Sequence, residues 1–150
     1  MKLRIEVSEG EIEDEVIIRC GRVDETVQKL QEYILSLSSP KIVFYKEAQE
    51  YYLSVGDVLF FETDGEQVYA HTTNDAFRVR QRLYELEKTL PHSFVRVAKG
   101  TIVNTSHIYS INRILASSSQ VKFLGTHKHI FVSRHYYSAL KDKMNQRSIF

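Results

Sequence analysis

Residues 80–111 read RQRLYELEKTLPHSFVRVAKGTIVNTSHIYSI, and this stretch decides how the rest of the chain is interpreted. Its first part predicts a short helix, because three leucines recur at helical spacing before Pro91 ends the pattern. The part from residue 96 onwards keeps neither a two-residue nor a 3.6-residue period. Its cations have no carboxylate close in sequence, which raises the question of what they contact.

The distribution of charge points to a polyanion. The chain carries a net charge of only +1, but residues 91–150 hold nine Lys and Arg against a single acid, Asp142. Residues 1–40 are acidic by four charges and residues 41–90 by three. Such asymmetry is typical of proteins that bind nucleic acid. Neutralisation of the basic part by the acidic parts within one fold is the alternative, but it does not explain why acids are almost absent after Pro91.

Composition excludes several classes of protein. With 150 residues and 43% hydrophobic residues, the chain is long enough for one compact domain with a small appendage. No apolar run reaches the roughly 18 residues of a membrane-spanning helix, and the N-terminus does not resemble a signal peptide. Cys20 is the only cysteine, which excludes an internal disulfide framework and a multi-cysteine zinc site. We expect a soluble cytoplasmic protein.

The first 40 residues predict a small ββα element. Residues 2–7 alternate apolar and charged side chains, and residues 15–20 predict a second, more buried strand. Asp24 is placed to cap a helix that Pro40 ends. The apolar face of that helix would carry Val27, Leu30, Ile34 and Leu37. We therefore expect an N-terminal element at residues 1–40 and a larger domain at residues 41–150.

Most of the larger domain predicts short antiparallel strands. Asp64-Gly65 lies between two apolar runs, which is a strong hairpin signal. Residues 76–82 fit either a strand or the first turns of the next helix, and alternation favours the strand. Turns are expected at residues 73–75, at Ser117-Ser118-Ser119 and at Gly125-Thr126, and a last helix after Ser133 as its N-cap. The predicted fold class is mainly β (α+β).

The sequence indicates no catalytic or metal site. His127, His129 and His135 lie in a basic region without a neighbouring thiol or carboxylate, so a hydrophilic hairpin tip is favoured over a metal site. A nucleophile elbow, a P-loop and a GxGxxG motif are all absent from the sequence. We expect no enzyme activity and no cofactor. Arg134, at the start of the last helix, is placed for an anion or a guanine edge, although the residue alone favours an ordinary solvated arginine.

Three strings, in order, resemble the LytTR-type DNA-binding domain of bacterial transcription regulators: residues 57–72, 80–111 and 130–144. Their length and ordered spacing make the resemblance specific, and it covers about two-thirds of the chain, from Lys41 to Met144. One departure concerns Ala98-Lys99-Gly100, where the family often has His-Arg-Ser or His-Asn-Ser. This difference bears on base preference rather than on the fold.

The resemblance implies elongated antiparallel β-sheets whose loops, rather than a recognition helix, enter successive major grooves. The irregular segment at residues 96–108 would then be a loop and edge segment that faces DNA. The resemblance implies base contacts by Lys99, Arg134 and Thr63. It also implies phosphate contacts by a second set of residues: Arg96, Thr101, Lys128 and Ser133. Asn104 fits a structural amide as well as a DNA ligand.

The resemblance also suggests partners. Only some 40 residues precede the domain, too few for the usual receiver domain, so aspartyl phosphorylation in cis is not expected. A related subgroup works with a small membrane protein, and the acidic N-terminal element suits a homodimer or a partner contact; RNA polymerase is a further expected partner. The leading interpretation is a sequence-specific regulator that binds double-stranded DNA. The alternative is a non-catalytic interaction module whose basic face binds an acidic protein, and RNA binding ranks third because RRM and KH signatures are missing.

Overall fold

A computed structural model describes residues 1–10, 14–38, 41–115 and 118–147. Its internal contacts divide the chain into two units, Met1–Ile34 and Leu35–Phe150. The division falls within helix α1 (Glu25–Ser38), before the predicted boundary at Pro40, which lies outside the described residues. Among the described residues, none of the helices is long and apolar enough to span a membrane.

The predicted N-terminal helix is present as α1, most of which belongs to the N-terminal unit, but the two predicted strands are absent from the described residues. The Asp24 carboxylate accepts a hydrogen bond from the Val27 N–H at 3.0 Å, as an N-cap does. Residues 2–7 and 15–20 form no strand, and Leu3 and Val7 are at least 90% exposed. The strand prediction was wrong because alternation alone does not stabilise two strands, which need a third strand or a covering helix to bury their apolar face.

A seven-stranded antiparallel sheet, sheet A, forms the larger part of the second unit. Its order is β2-β1-β5-β4-β3-β7-β6. The strands are β1 (Phe44–Lys46), β2 (Gln49–Tyr51), β3 (Phe60–Asp64), β4 (Gln67–His71), β5 (Ala76–Val79), β6 (Phe94–Ala98) and β7 (Thr101–Asn104). The predicted β3–β4 hairpin is confirmed, with Asp64 opposite Gln67 and Gly65 at a φ of 62°. The strand reading of β5 is also confirmed, since helix α2 (Leu83–Thr89) begins only after it.

A three-stranded antiparallel sheet, sheet B, and helix α3 complete this unit. Sheet B has the order β10-β9-β8, with β8 (Ile108–Leu115), β9 (Ser118–Phe123) and β10 (His129–Ser133), and α3 (Arg134–Arg147) follows directly. The serine turn was predicted wrongly at Ser118 and Ser119, which belong to β9, while Ser117 lies outside the described residues. Ser119 is buried opposite Val132, so its position in the sheet overrides the turn preference of serine.

Sheet A is covered on both faces. One face carries Phe61, Ala70 and Phe77, which pack with Leu83 and Leu86 of α2. The other face carries a second cluster in which Phe60, Val97 and Val103 pack against sheet B and α3. Sheet B contributes Phe123, Val121, Ile130 and Val132 to that cluster, and α3 contributes Leu140. The strand ends of sheet A therefore project from a framework that is fixed from both sides.

Candidate nucleic-acid interface

One end of sheet A brings together two of the predicted base contacts. Lys99 and Gly100 form the turn between β6 and β7, and Lys99 is exposed. The Thr63 N–H, near the end of β3, donates to the Gly100 carbonyl at 2.9 Å. A Cβ added to Gly100 would collide with Thr63 Oγ1, so the approach of the two chains requires glycine or a moved Thr63 side chain. Thr63 and Lys99 thus lie side by side at the solvent edge.

Arg96 braces this turn from within the chain. Its Nε donates to the Ala98 carbonyl at 3.0 Å and its Nη2 to the Lys99 carbonyl. Its Nη1 binds Glu87 Oε2 of α2 at 2.8 Å, and the Arg96 side chain is only 19% exposed. A planar guanidinium carries five N–H donors in a rigid fork, so one arginine side chain can hold these three oxygens in a fixed geometry. The phosphate contact of Arg96 stays a prediction, and the structure gives this residue a bracing position.

Arg134 and Ser133 mark a second possible contact point, where β10 passes into α3. Arg134 is exposed and is the first residue of the helix. At the other end of α3, the Arg147 guanidinium donates to the Thr105 carbonyl at 2.7 Å, and Thr105 binds Ser93 just before β6. The helix packs on β6 and is about 20 Å long. We infer that Arg134 lies towards the end of β6 that leads into Lys99.

Lys128 lies partly buried between the two sheets. It precedes β10, and its Nζ donates to the Thr72 carbonyl at 2.8 Å and to the Asp75 carbonyl, both in the β4–β5 turn of sheet A. Burial lowers the pKa of the Lys128 ammonium, against the opposing effect of the Asp75 and Glu62 carboxylates. This side chain ties sheet B to sheet A. Its predicted phosphate contact stays a prediction.

The same region holds a neutral histidine. The His71 ring stacks on Phe60, with 4.4 Å between the ring centres. Burial, with a smaller contribution from Lys128, lowers the pKa of His71 to about 4. His71 Nε2 lies 3.4 Å from Glu62 Oε1, and burial raises the pKa of that carboxyl group. At neutral pH this contact is therefore between a neutral imidazole and Glu62 and not an ion pair.

Asn104 is a structural amide. It is 1% exposed, and its Nδ2 donates to the Val58 carbonyl at 3.0 Å. Its Oδ1 accepts from the Ser106 N–H at 3.1 Å. Both ends of the amide are satisfied inside the chain, so the structure favours the first of the two readings that the sequence left open. Thr101, by contrast, is half-exposed beside the Lys99 turn, and its phosphate contact stays a prediction.

Sequence reasoning missed a second group of cations at this end of sheet A. Arg78 and Arg80 are exposed, and the guanidinium of Arg80 lies 4.6 Å from the centre of the Tyr45 ring. Their two-residue spacing in residues 78–80 was the available signal, since it places both on one face of a strand. Among the described residues, no group of three or more His, Cys, Asp or Glu is arranged to hold a metal ion.

Comparison with known proteins finds relatives that match almost the whole chain. A protein of Staphylococcus aureus (strain NCTC 8325 / PS 47), described as an uncharacterized HTH-type transcriptional regulator, is 29% identical over 147 residues, which is 97% of this chain and 99% of that protein. A protein of the same description from strain COL matches to the same extent. Among the described residues of this chain, five strands separate α2 from α3, and the two helices do not form a helix-turn-helix pair.

A solved structure shares the fold. It is the LytTr DNA-binding domain of a Bacillus cereus protein described as a methyl-accepting/DNA response regulator, and it is 20% identical in sequence. It covers 71% of this chain and 98% of its own length, with a TM-score of 0.65. A sequence profile of the LytTr DNA-binding domain matches residues 48–145, more than half of the chain. This chain belongs to the LytTr DNA-binding domain family.

Proposed function

We propose that this protein is a transcriptional regulator that binds a specific sequence of double-stranded DNA, acts in the cytoplasm and has no catalytic role. Family membership and the regulator names of the Staphylococcus aureus relatives support DNA binding and transcriptional control. The observation that carries sequence specificity is the pairing of Thr63 with Gly100, because it presents Thr63 and Lys99 together at an exposed edge.

Three residues would read bases in this proposal. Lys99 and Arg134 are exposed cations, and both side chains can donate to the O6 and N7 of guanine. Thr63, also exposed, can contact a base edge through its hydroxyl or a thymine methyl through its own methyl group.

Four further residues would support these contacts. Thr101 and Ser133 adjoin the base-reading positions, and we propose that their hydroxyls contact phosphates. Arg96 and Lys128 hold the interface in place in this proposal, because their N–H groups are engaged with backbone carbonyls.

Selection of binding sites from random duplex DNA at about 0.15 M salt tests the proposal. We expect enrichment of a two-part motif with half-sites about 10 bp apart. Lys99→Ala and Arg134→Ala should each cost about 1–3 kcal/mol on the selected duplex and little on unrelated duplex. Lys141→Ala removes an exposed cation further along α3 and serves as the control. Binding without enrichment would overturn specificity and favour the interaction module with an acidic partner.

A homodimer is part of the proposal. Leu3, Ile5 and Val7 are 78–92% exposed and alternate with charged residues, so the N-terminal unit carries apolar surface that a second copy can bury. Sedimentation of the full chain should show a dimer, and replacing these three residues by serine should shift it towards the monomer. A monomer in both cases would contradict this role. RNA polymerase and a small membrane protein remain proposed partners.

A further inference from the structure

Strand registers place an additional arginine in line with the Lys99 turn. Val79 pairs with Val68, so the next residue, Arg80, lies beside Gln67 at the start of β4. Gln67 pairs with Asp64. Glu62 pairs with Thr101, and the same register carries Asp64 to the Lys99 turn. Arg80, Gln67, Asp64 and Lys99 thus form one row across the end of sheet A, which we call the edge row.

The length of the edge row can be compared with the dimensions of DNA. Neighbouring strands lie about 4.8 Å apart, so the three steps from Lys99 to Arg80 span roughly 14 Å. The major groove of B-DNA is about 12 Å wide. A protein that places Lys99 against base edges in the groove therefore brings Arg80 to the sugar-phosphate backbone that borders it.

The Arg80 side chain is held in a defined position. Its guanidinium lies over the Tyr45 ring, at 4.6 Å from the ring centre, and Tyr45 pairs with Arg78 across β1 and β5. Within the part of the chain that the structure describes, no carboxylate pairs with Arg80. A guanidinium that rests on an aromatic ring keeps its N–H groups at the ring edge free for an anion.

Arg80 also lies on the correct side of sheet A. Arg78 and Arg80 share the face opposite to the buried Phe77 and Val79. The second hydrophobic cluster, to which α3 contributes Leu140, packs against this same face. Arg80 and the helix that begins at Arg134 therefore lie on one side of the sheet, as a common DNA surface requires.

The acid within the edge row indicates how the row meets DNA. Asp64 is exposed between the two cations, and phosphate oxygens would repel it. A carboxylate is tolerated in the groove, where it can accept from the N4 amino group of cytosine. This arrangement favours the hairpin inside the groove and a cation against the backbone.

Resting on the proposed function, we propose that Arg80 contacts a backbone phosphate of duplex DNA at the border of the groove that Lys99 enters. Arg78 is the matched control, since it lies two positions earlier, within β5 and on the same face, and approaches the same Tyr45 ring at 5.7 Å. It lies two residues, or about 7 Å, further from the strand end. Of these two arginines, only Arg80 belongs to the edge row.

Salt-dependent binding of the full chain to duplex DNA tests the proposal. Arg80→Ala should reduce the slope of log affinity against log salt by about 0.9, as for one lost phosphate contact. The loss of affinity between 50 and 200 mM salt should then be roughly 3.5-fold smaller than for the unchanged protein. Arg78→Ala should leave the slope unchanged, and Arg80→Lys should restore most of it. Thermal unfolding of each variant confirms that the fold is retained.

The outcomes separate this proposal from the proposed function. An unchanged slope in Arg80→Ala, or equal reductions in Arg80→Ala and Arg78→Ala, would overturn the contact, the latter because it indicates a general effect of charge. The slope can be measured on any duplex, so it remains informative if site selection finds no motif. A single neutral methylphosphonate that weakens binding of the unchanged protein, but not of Arg80→Ala, would identify the phosphate.

Discussion

Replacing Arg96 separates two roles that one arginine can have at this interface. The sequence predicts a phosphate contact, whereas the structure shows the guanidinium bound to the Ala98 and Lys99 carbonyls and to Glu87. If bracing is its role, Arg96→Leu should loosen the turn that presents Lys99. The variant should then lose stability and specific affinity without losing a phosphate contact.

The expected loss of stability follows from the three contacts. The Glu87 carboxylate is 50% exposed, so its ion pair with Arg96 contributes about 0.5 kcal/mol. The two bonds to carbonyls contribute about 1 kcal/mol each, because water can partly replace the guanidinium. Arg96→Leu should therefore cost about 2.5 kcal/mol, equivalent to a fall of roughly 5–10 °C in melting temperature for a chain of this size. Glu87→Gln, the control, removes only the ion pair and should cost at most about 0.5 kcal/mol.

Urea unfolding and DNA titrations between 50 and 200 mM salt measure both effects. For a brace, affinity for the selected duplex falls while the salt slope stays the same. A slope reduced by about 0.9, with stability retained, would refute the bracing argument and restore the phosphate contact that the sequence predicts.

Three further predictions concern the framework behind the interface. Lys128→Met should cost about 1–2 kcal/mol in urea unfolding, because the Thr72 carbonyl loses its partner; unchanged stability with a reduced salt slope would favour the phosphate contact instead. The pKa of His71 is about 4 in the folded chain, against an ordinary value of 6.5. The free energy of unfolding should therefore be unaffected by His71 protonation above about pH 6.5. It should fall by roughly 3 kcal/mol as the pH drops towards 4, because the unfolded chain takes up the proton first, and His71→Phe should flatten this dependence. Asn104→Ala should cost about 2 kcal/mol or more by thermal unfolding, against less than about 0.5 for the exposed Asn112→Ala, and equal costs would contradict the structural role of the Asn104 amide.

Local sequence patterns predicted the structure correctly where it is set by residues that lie close together in sequence. The hairpin at Gly65, the strand β5 and the position of α2 were predicted from turn chemistry and spacing, and the LytTR resemblance supplied the fold class. The N-terminal strands were predicted from alternation, which shows that a segment could be half-buried but does not supply the surface that would bury it.

At the candidate site, the sequence failed to predict contacts for a different reason. Lys128 contacts the Thr72 carbonyl across 56 positions of sequence, and the Asn104 amide reaches Val58 across 46. A single sequence does not reveal such pairings, so it cannot distinguish a lysine that faces solvent from one that bridges two sheets. The serines of β9 illustrate the same limit, because their turn preference yields to a partner strand that the sequence does not specify.

The first two residues of β3 are buried on opposite faces of sheet A, with Phe61 in one hydrophobic cluster and Phe60 in the other. In a strand with one solvent-exposed face, a register shift by a single residue would move its apolar side chains into water. The hydrophobic effect then makes the shifted register unfavourable. Sliding β3 by one position in one direction would only put Leu59 in the place of Phe60 and Phe60 in the place of Phe61, and Leu59 is itself buried. We infer that the register of β3 is set by two features that a shifted residue could not reproduce. They are the positive φ of Gly65 and the hydrogen bond from the Asn104 amide to the Val58 carbonyl. Variants of these groups would misalign the strands, so that Thr63 no longer meets Gly100, and DNA binding would fall by more than the loss of stability alone explains.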